Sequence, residues 1–256
     1  MKRMEMKGIR YSVLLIVMTM ILSLSSCGDR GYKDLPFGGM NGKVQKVTVC
    51  HKMPELWHVN VKGSDVMSID ALAYDIYGNE ICSARMDSAG QIESEAESLF
   101  ENGVCVRSIQ KIGGRVIARL NLLSDNGKTL EYSKDIAGDV TRMKIEKSSF
   151  LRKHKSIVSE NGKVTSVNTI KTDRKGRPVW IKEVNPQTGS EIIQKNTYDD
   201  NNNVTEKHVS TKGNEKEEVL YLEYTKLDEQ GNWLEARTFN RNNLPVEILV
   251  REIEYW

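Results

Sequence analysis

Cys50-His51 and His58 crowd around Trp57, and a thiolate with neutral imidazoles is a donor set for zinc. The spacing is neither C-x-x-C nor H-x-x-x-H, so these residues read as core or loop. Glu93 and Glu95 stand two apart; on one face of a strand their carboxylates would lie about 7 Å from each other, within glycosidase reach. Acidic residues that alternate, as Glu93, Glu95, Glu97 and Glu101 do, generate such pairs by default. Asp199-Asp200-Asn201-Asn202-Asn203 offers oxygens to calcium, but a calcium loop would place Gly at 204 and Glu at 210, where Val204 and Ser210 stand. No G-x-S-x-G, H-E-x-x-H or phosphate-binding glycine loop is present. The expectation is a non-enzyme without a metal. Trp180, Trp233 and Tyr224 are candidate ligand-contact aromatics, since indole and phenol rings stack on sugars or peptides; packing inside a half-covered sheet is the competing use of the same residues.

The remaining chemistry lies at the start of the chain. Lys2, Arg3, Lys7 and Arg10 precede an apolar run from Val13 to Leu24 broken only by Thr19 and Ser23. A basic segment, a short apolar stretch and small residues form a secretory signal, and the stretch is shorter than the ~20 apolar residues of a spanning helix. Leu24-Ser25-Ser26-Cys27 resembles the lipobox of bacterial lipoproteins. That resemblance implies a signal peptide over 1–26, a covalent lipid of the palmitate type on Cys27 as the only attached group, and a mature protein tethered to a membrane. In the same family an Asp directly after the cysteine retains the protein at the inner membrane. Gly28 holds that place and Asp29 follows, which implies the outer membrane, with the periplasmic or outer face left open. Residues 27–44, rich in glycine, read as a flexible tether, and 45–256 as the folded domain.

Composition narrows the partners. The chain carries 37 basic and 35 acidic residues, and loss of 1–26 leaves a charge near −1. Nucleic acid is not an expected partner, because its binders carry a strong basic excess. Leu151-Arg152-Lys153-His154-Lys155 is the one dense basic run, either a solvated strand end or a contact for anionic lipid or glycan. Cys50, Cys82 and Cys105 permit one disulfide with a spare thiol, or three reduced thiols.

What must position all of this is a punctuated β chain. Asp75, Asp87, Asp135, Asp173 and Asp228 each open a D-x-x-G-polar motif, in which the carboxylate caps a type I turn and glycine takes the next, left-handed position. With the Asn-Gly, Gly-Gly and Asn-rich turns between them, turns recur about every dozen residues, and a gap at 138–162 predicts an unmarked turn near Lys147-Ser148-Ser149. Between turns the residues alternate: Ile92, Ser94, Ala96, Ser98 and Phe100 against Glu93, Glu95 and Glu97; Leu220, Leu222 and Tyr224 against Glu223. A short helix over Ser94–Phe100 is the main competitor. The predicted fold is all-β, a long antiparallel meander of hairpins forming a curved single sheet or a rolled or two-layer sheet.

Tyr74-Asp75-x-x-Gly78-Asn79, Tyr198-Asp199 and Leu227-Asp228-x-x-Gly231-Asn232 look like the YD repeats of Rhs-type proteins. That resemblance implies a curved antiparallel sheet with a two-strand period near two dozen residues, so that turns 78, 103, 127, 176 and 202 share one edge. It carries no activity. The functional expectation is an envelope lipoprotein whose sheet binds or scaffolds another envelope protein or a glycan. A glycan hydrolase and a carrier of an apolar ligand are the alternatives.

Overall fold

The computed structural model describes residues 40–53, 66–213 and 217–256. Cys27, the signal segment, most of the tether, Trp57 and His58 lie outside the described residues. Alternation and turn chemistry give sixteen strands: β1 Val44–Lys52, β2 Val66–Tyr74, β3 Glu80–Asp87, β4 Ile92–Glu101, β5 Val104–Ile112, β6 Arg115–Asp125, β7 Thr129–Ile136 and β8 Asp139–Phe150. The second half has β9 Lys153–Glu160, β10 Lys163–Thr172, β11 Pro178–Asn185, β12 Ser190–Tyr198, β13 Val204–Thr211, β14 Glu218–Leu227, β15 Trp233–Asn240 and β16 Pro245–Tyr255. Ser94–Phe100 is strand, inside β4, and no helix occurs among the described residues.

Each strand pairs antiparallel with its neighbours in sequence, and β1 pairs with β16, so the sheet closes into a barrel. The all-β antiparallel order is as expected, whereas closure into a barrel corrects the expected curved single sheet or rolled or two-layer sheet. The physical reason is cumulative. The sixteen strand pairs add on average little more than one residue of stagger each, and round the ring the register returns displaced by about 20 residues, which tilts the strands by about 40° and sets a radius of about 15 Å for a circular ring. Closure also pairs the two edge strands, which would otherwise expose unpaired backbone donors and acceptors.

The turns follow the predicted chemistry. The Asp75 carboxylate accepts hydrogen bonds from the backbone N–H of Tyr77 and of Asn79, both at 2.9 Å, while Gly78 takes φ +86°. Asp87, Asp173 and Asp228 do the same. In the Asp199 turn, Asn202 adopts φ +68° where the others have glycine. Asp135 departs from the set: Ala137 and Gly138 form a two-residue hairpin with φ +52° and +95°. Turns 78, 103, 127, 176 and 202 do share one rim, because odd-numbered strands all run the same way. The unmarked turn falls at Leu151-Arg152, just past the predicted site, because β8 continues to Phe150.

The last residues assigned to the tether are part of the fold. Met40 is buried among β1, β2, β15 and β16 side chains, and Asn41 exchanges bonds with Asn232: its N–H donates to Oδ1 at 2.6 Å and its carbonyl accepts from Nδ2 at 3.0 Å. Gly42, at φ +84°, passes so close to Gln230 that a Cβ would lie 1.8 Å from Oε1. The chain therefore enters the barrel on the rim of turns 78 and 231.

Candidate functional site

Opposed residues in a ladder share a face, so the register sorts every strand into an inner and an outer set. Val47, Val49 and His51 point inward, as do Asp70 and Ser68 on β2, Arg85 on β3, and Glu247, Leu249 and Arg251 on β16. Two arcs of this inner face are packed. One runs over β5–β9 and holds Leu120, Tyr132, Met143, Ile145 and Val158; the other joins β1 and β2 to β15 and β16 through Val47, Trp233, Ala236 and Leu249. Between them, β3 and β4 on one side and β11 and β12 on the other hold no fully buried side chain. Water reaches these two inner walls, as a ring this wide allows.

The densest inner charge cluster lies at the mouth opposite the tether rim. His51 Nδ1 is 2.6 Å from Glu247 Oε1, and Nε2 is 3.0 Å from Asp70 Oδ2. The hydrogen bond to Asp70, then that to Glu247, pushes the imidazole up to about 9 against the opposing effect of burial. Arg85 Nη2 donates to Ser68 Oγ at 3.1 Å, and its Nε is 3.9 Å from Asp70 Oδ1. Both His51 nitrogens are engaged and the ring stays protonated at neutral pH. It therefore has no lone pair for a metal or for general-base work. Among the described residues no three His, Cys, Asp or Glu are placed to hold a metal ion. The carboxylates stay partly open, Asp70 at 32% and Glu247 at 26%, so the cluster can accept hydrogen bonds from a ligand at the mouth.

The opposite wall carries Glu183 on β11 and Lys207 on β13. Burial pushes the Glu183 carboxyl up and the Lys207 ammonium down, the latter partly offset by Glu218. They are two strands apart, with β12 between them. No nucleophile and base are paired on this wall among the described residues. On β7, Lys134 is buried on the inner face and bonds Glu160 of β9 across the intervening strand.

The aromatic candidates separate. Trp233 is fully buried, its ring covered by the Arg251 guanidinium at 3.8 Å and set 5.8 Å from the Tyr224 ring. Tyr224 Oη donates to the Val204 carbonyl at 2.7 Å, and burial raises its phenol far above the usual range. Trp180 stands on the outer face, with Lys171 Nζ 4.6 Å from its ring centre. Two of the three therefore meet inside the closing seam, and the third is on the far side of the sheet. Alternation identified the inner face of β14; it could not show that Trp233 would be roofed by Arg251, 18 residues on.

Cys50 and Cys82 are on the outer face and Cys105 is buried inside; all three are free thiols. The outer face carries charged side chains around most of the ring. Glu95 and Glu97 flank Lys111 at 3.0 and 2.7 Å, Arg119 faces Asp135, Lys182 pairs Glu191 at 2.7 Å, and Lys226 pairs Glu235 at 2.8 Å. Only the outer side of β2 and β3 is wholly apolar among the described strands, with Met67, Ile69, Ala71, Ala73, Cys82, Ala84 and Met86.

No family model matches this chain, and no curated protein does. Among solved structures it is similar to a porin-like protein from Bacteroides uniformis ATCC 8492, at 14% identity and a TM-score of 0.50, covering 84% of this chain and 99% of that one. A porin-like protein from Bacteroides vulgatus ATCC 8482 gives 10% identity and a TM-score of 0.44, covering 83% and 98%. At such identity the first likeness is one of fold, and the fold is that of a closed antiparallel barrel.

Proposed function

We propose that this chain is a lipid-anchored protein of the bacterial outer membrane whose barrel stands in water beside the bilayer and binds a polar partner, an envelope protein or a glycan, at its charged mouth. The carrying observation is the outer face. A spanning barrel presents an apolar band about 25 Å tall, and a Lys or Arg at its midplane costs about 2–4 kcal/mol. Arg107, Arg119, Lys182 and Arg237 all project outward from mid-strand here. Water solvates them freely. Attachment then falls to the Cys27 lipid.

Binding rather than turnover is the reading because the inner titratable groups are either saturated, as at His51, or strands apart, as at Glu183 and Lys207. The test is release. Protease cleavage within residues 28–39 of the membrane-bound protein should free a folded barrel that stays in solution without detergent. A barrel that remains in the membrane fraction after that cut would overturn the reading. Labelling with a palmitate analogue should be lost in Cys27→Ala; wild type that never takes up label would remove the anchor.

A further inference from the structure

We infer that the tether rim rests on an anionic lipid surface, with the β8–β9 hairpin as its inserting tip. The three most exposed large hydrophobic side chains among the described residues are Leu151 at 80%, Tyr77 at 78% and Phe150 at 76%. All three lie on the rim where the chain enters, and exposed Trp256 joins them. The β8–β9 tip overhangs its β7 neighbour: the last contact there is the Lys147 N–H to the Lys128 carbonyl at 2.7 Å, and residues 148–150 run on beyond it, while on the other side β10 stays level, with the Thr172 N–H donating to the Arg152 carbonyl at 2.9 Å.

The tip is held out by an unfavourable backbone. Leu151 and Arg152 sit at φ +45° and +62°, the pair of left-handed positions that a two-residue hairpin normally gives to Asn-Gly. Apolar and long basic side chains at these positions point outward at a conformational cost. Around them, Arg152, Lys153, Lys155, Lys128 on the preceding turn and Arg174 on the following one are exposed. Nearby Asp173 is neutralised by Arg177 at 2.7 Å. Of the other acids on this rim, exposed Asp125 shares the turn of Lys128, Glu101 and Asp75 lie on the turns before it, and Asp199, Asp200, Asp228 and Glu229 belong to a different arc, so the charge around the tip stays in basic excess. Aromatic and aliphatic side chains ringed by Lys and Arg are what an anionic membrane interface accepts.

Reach permits the contact. The thirteen residues from Gly28 to Met40 span at most about 45 Å, against a barrel diameter of about 30 Å, so a lipid on Cys27 leaves this rim free to touch the bilayer. The inference rests in part on the anchor reading, and it deepens the proposed function by turning the His51 mouth away from the membrane.

The experiment places p-benzoylphenylalanine at position 151 or, on the opposite rim, at position 244, where Leu244 is also exposed. The full-length protein is reconstituted in vesicles of phosphatidylcholine with one quarter phosphatidylglycerol. Lipid adducts are expected from 151 and not from 244, with a yield that falls about fivefold for each charge removed by Lys153→Gln or Lys155→Gln. Equal yields from both positions, no lipid adduct at 151, or adducts at 151 to protein instead of lipid would overturn the inference. Acyl labelling of the same sample separates the two readings: adducts at 151 without acyl label sink the anchor alone, and label without adducts sinks the rim contact alone.

Discussion

His51 on β1 is clamped between Asp70 on β2 and Glu247 on β16, so one imidazole ties the strand that opens the barrel to both of its neighbours across the closing seam. The seam is thus fastened by a proton as well as by backbone pairing.

A group whose folded pKa is raised stabilises fully below its unfolded value and loses that contribution as pH passes its folded value. For His51 the window runs from about 6.5 to about 9, with an upper bound on the order of 3 kcal/mol before allowance for its partial exposure. Melting temperature should fall between pH 7 and pH 9.5, and His51→Gln should flatten that fall. An unchanged slope in the variant would dissociate the seam from His51.

Asn232, 2% exposed, bonds Asn41 through both N–H and carbonyl and donates to Tyr255 Oη at 2.6 Å. Asn232→Ala removes both bonds to Asn41, which is itself exposed, and leaves Tyr255 Oη with Asp228 alone, so it should cost about 1–2 kcal/mol in urea unfolding. A loss under 0.5 kcal/mol, within the ordinary effect of a surface change, would mean that the entry segment does not brace the rim.

Arg251 is buried, donates only through Nε to the Trp233 carbonyl at 2.8 Å, and leaves Nη2 without a partner; burial pushes its guanidinium down to about 10. A buried charge so thinly matched costs desolvation, and a volume-conserving apolar residue removes that cost. Arg251→Met should be neutral or stabilising, whereas Arg251→Ala, which uncovers the Trp233 ring, should lose about 2–3 kcal/mol. Equal losses in both variants would show that charge, and not packing, is what Arg251 supplies.

Replacing Leu151-Arg152 by Asn-Gly gives the β8–β9 hairpin the residues its dihedrals favour. The expected gain is about 1–2 kcal/mol of stability, read as a raised urea midpoint at unchanged slope. A stability drop would mean that the left-handed pair is not strained.

Much of the sequence spoke locally. Aspartates two and four residues before amides, and glycines at left-handed positions, fix hairpins through bonds a few residues long, so strand count and the shared rim of turns 78, 103, 127, 176 and 202 were legible. The turn at 151–152 was misplaced because Leu-Arg carries no turn chemistry. Alternation likewise gave the inner face of β14 and, from Ser94 to Phe100, of β4, since a strand needs only its own period to choose a side; a register shift before Ser94 sets Ile92 beside Met86 on the outer face. Closure was not legible, nor was the His51 clamp. Glu247 lies 196 residues from His51, and no local pattern records which edge strands will meet. That is decided by stagger summed over sixteen strand pairs, a property of the whole sheet. The same sum decided that Trp233 would lie in the seam beneath Arg251 and Trp180 on the outer wall.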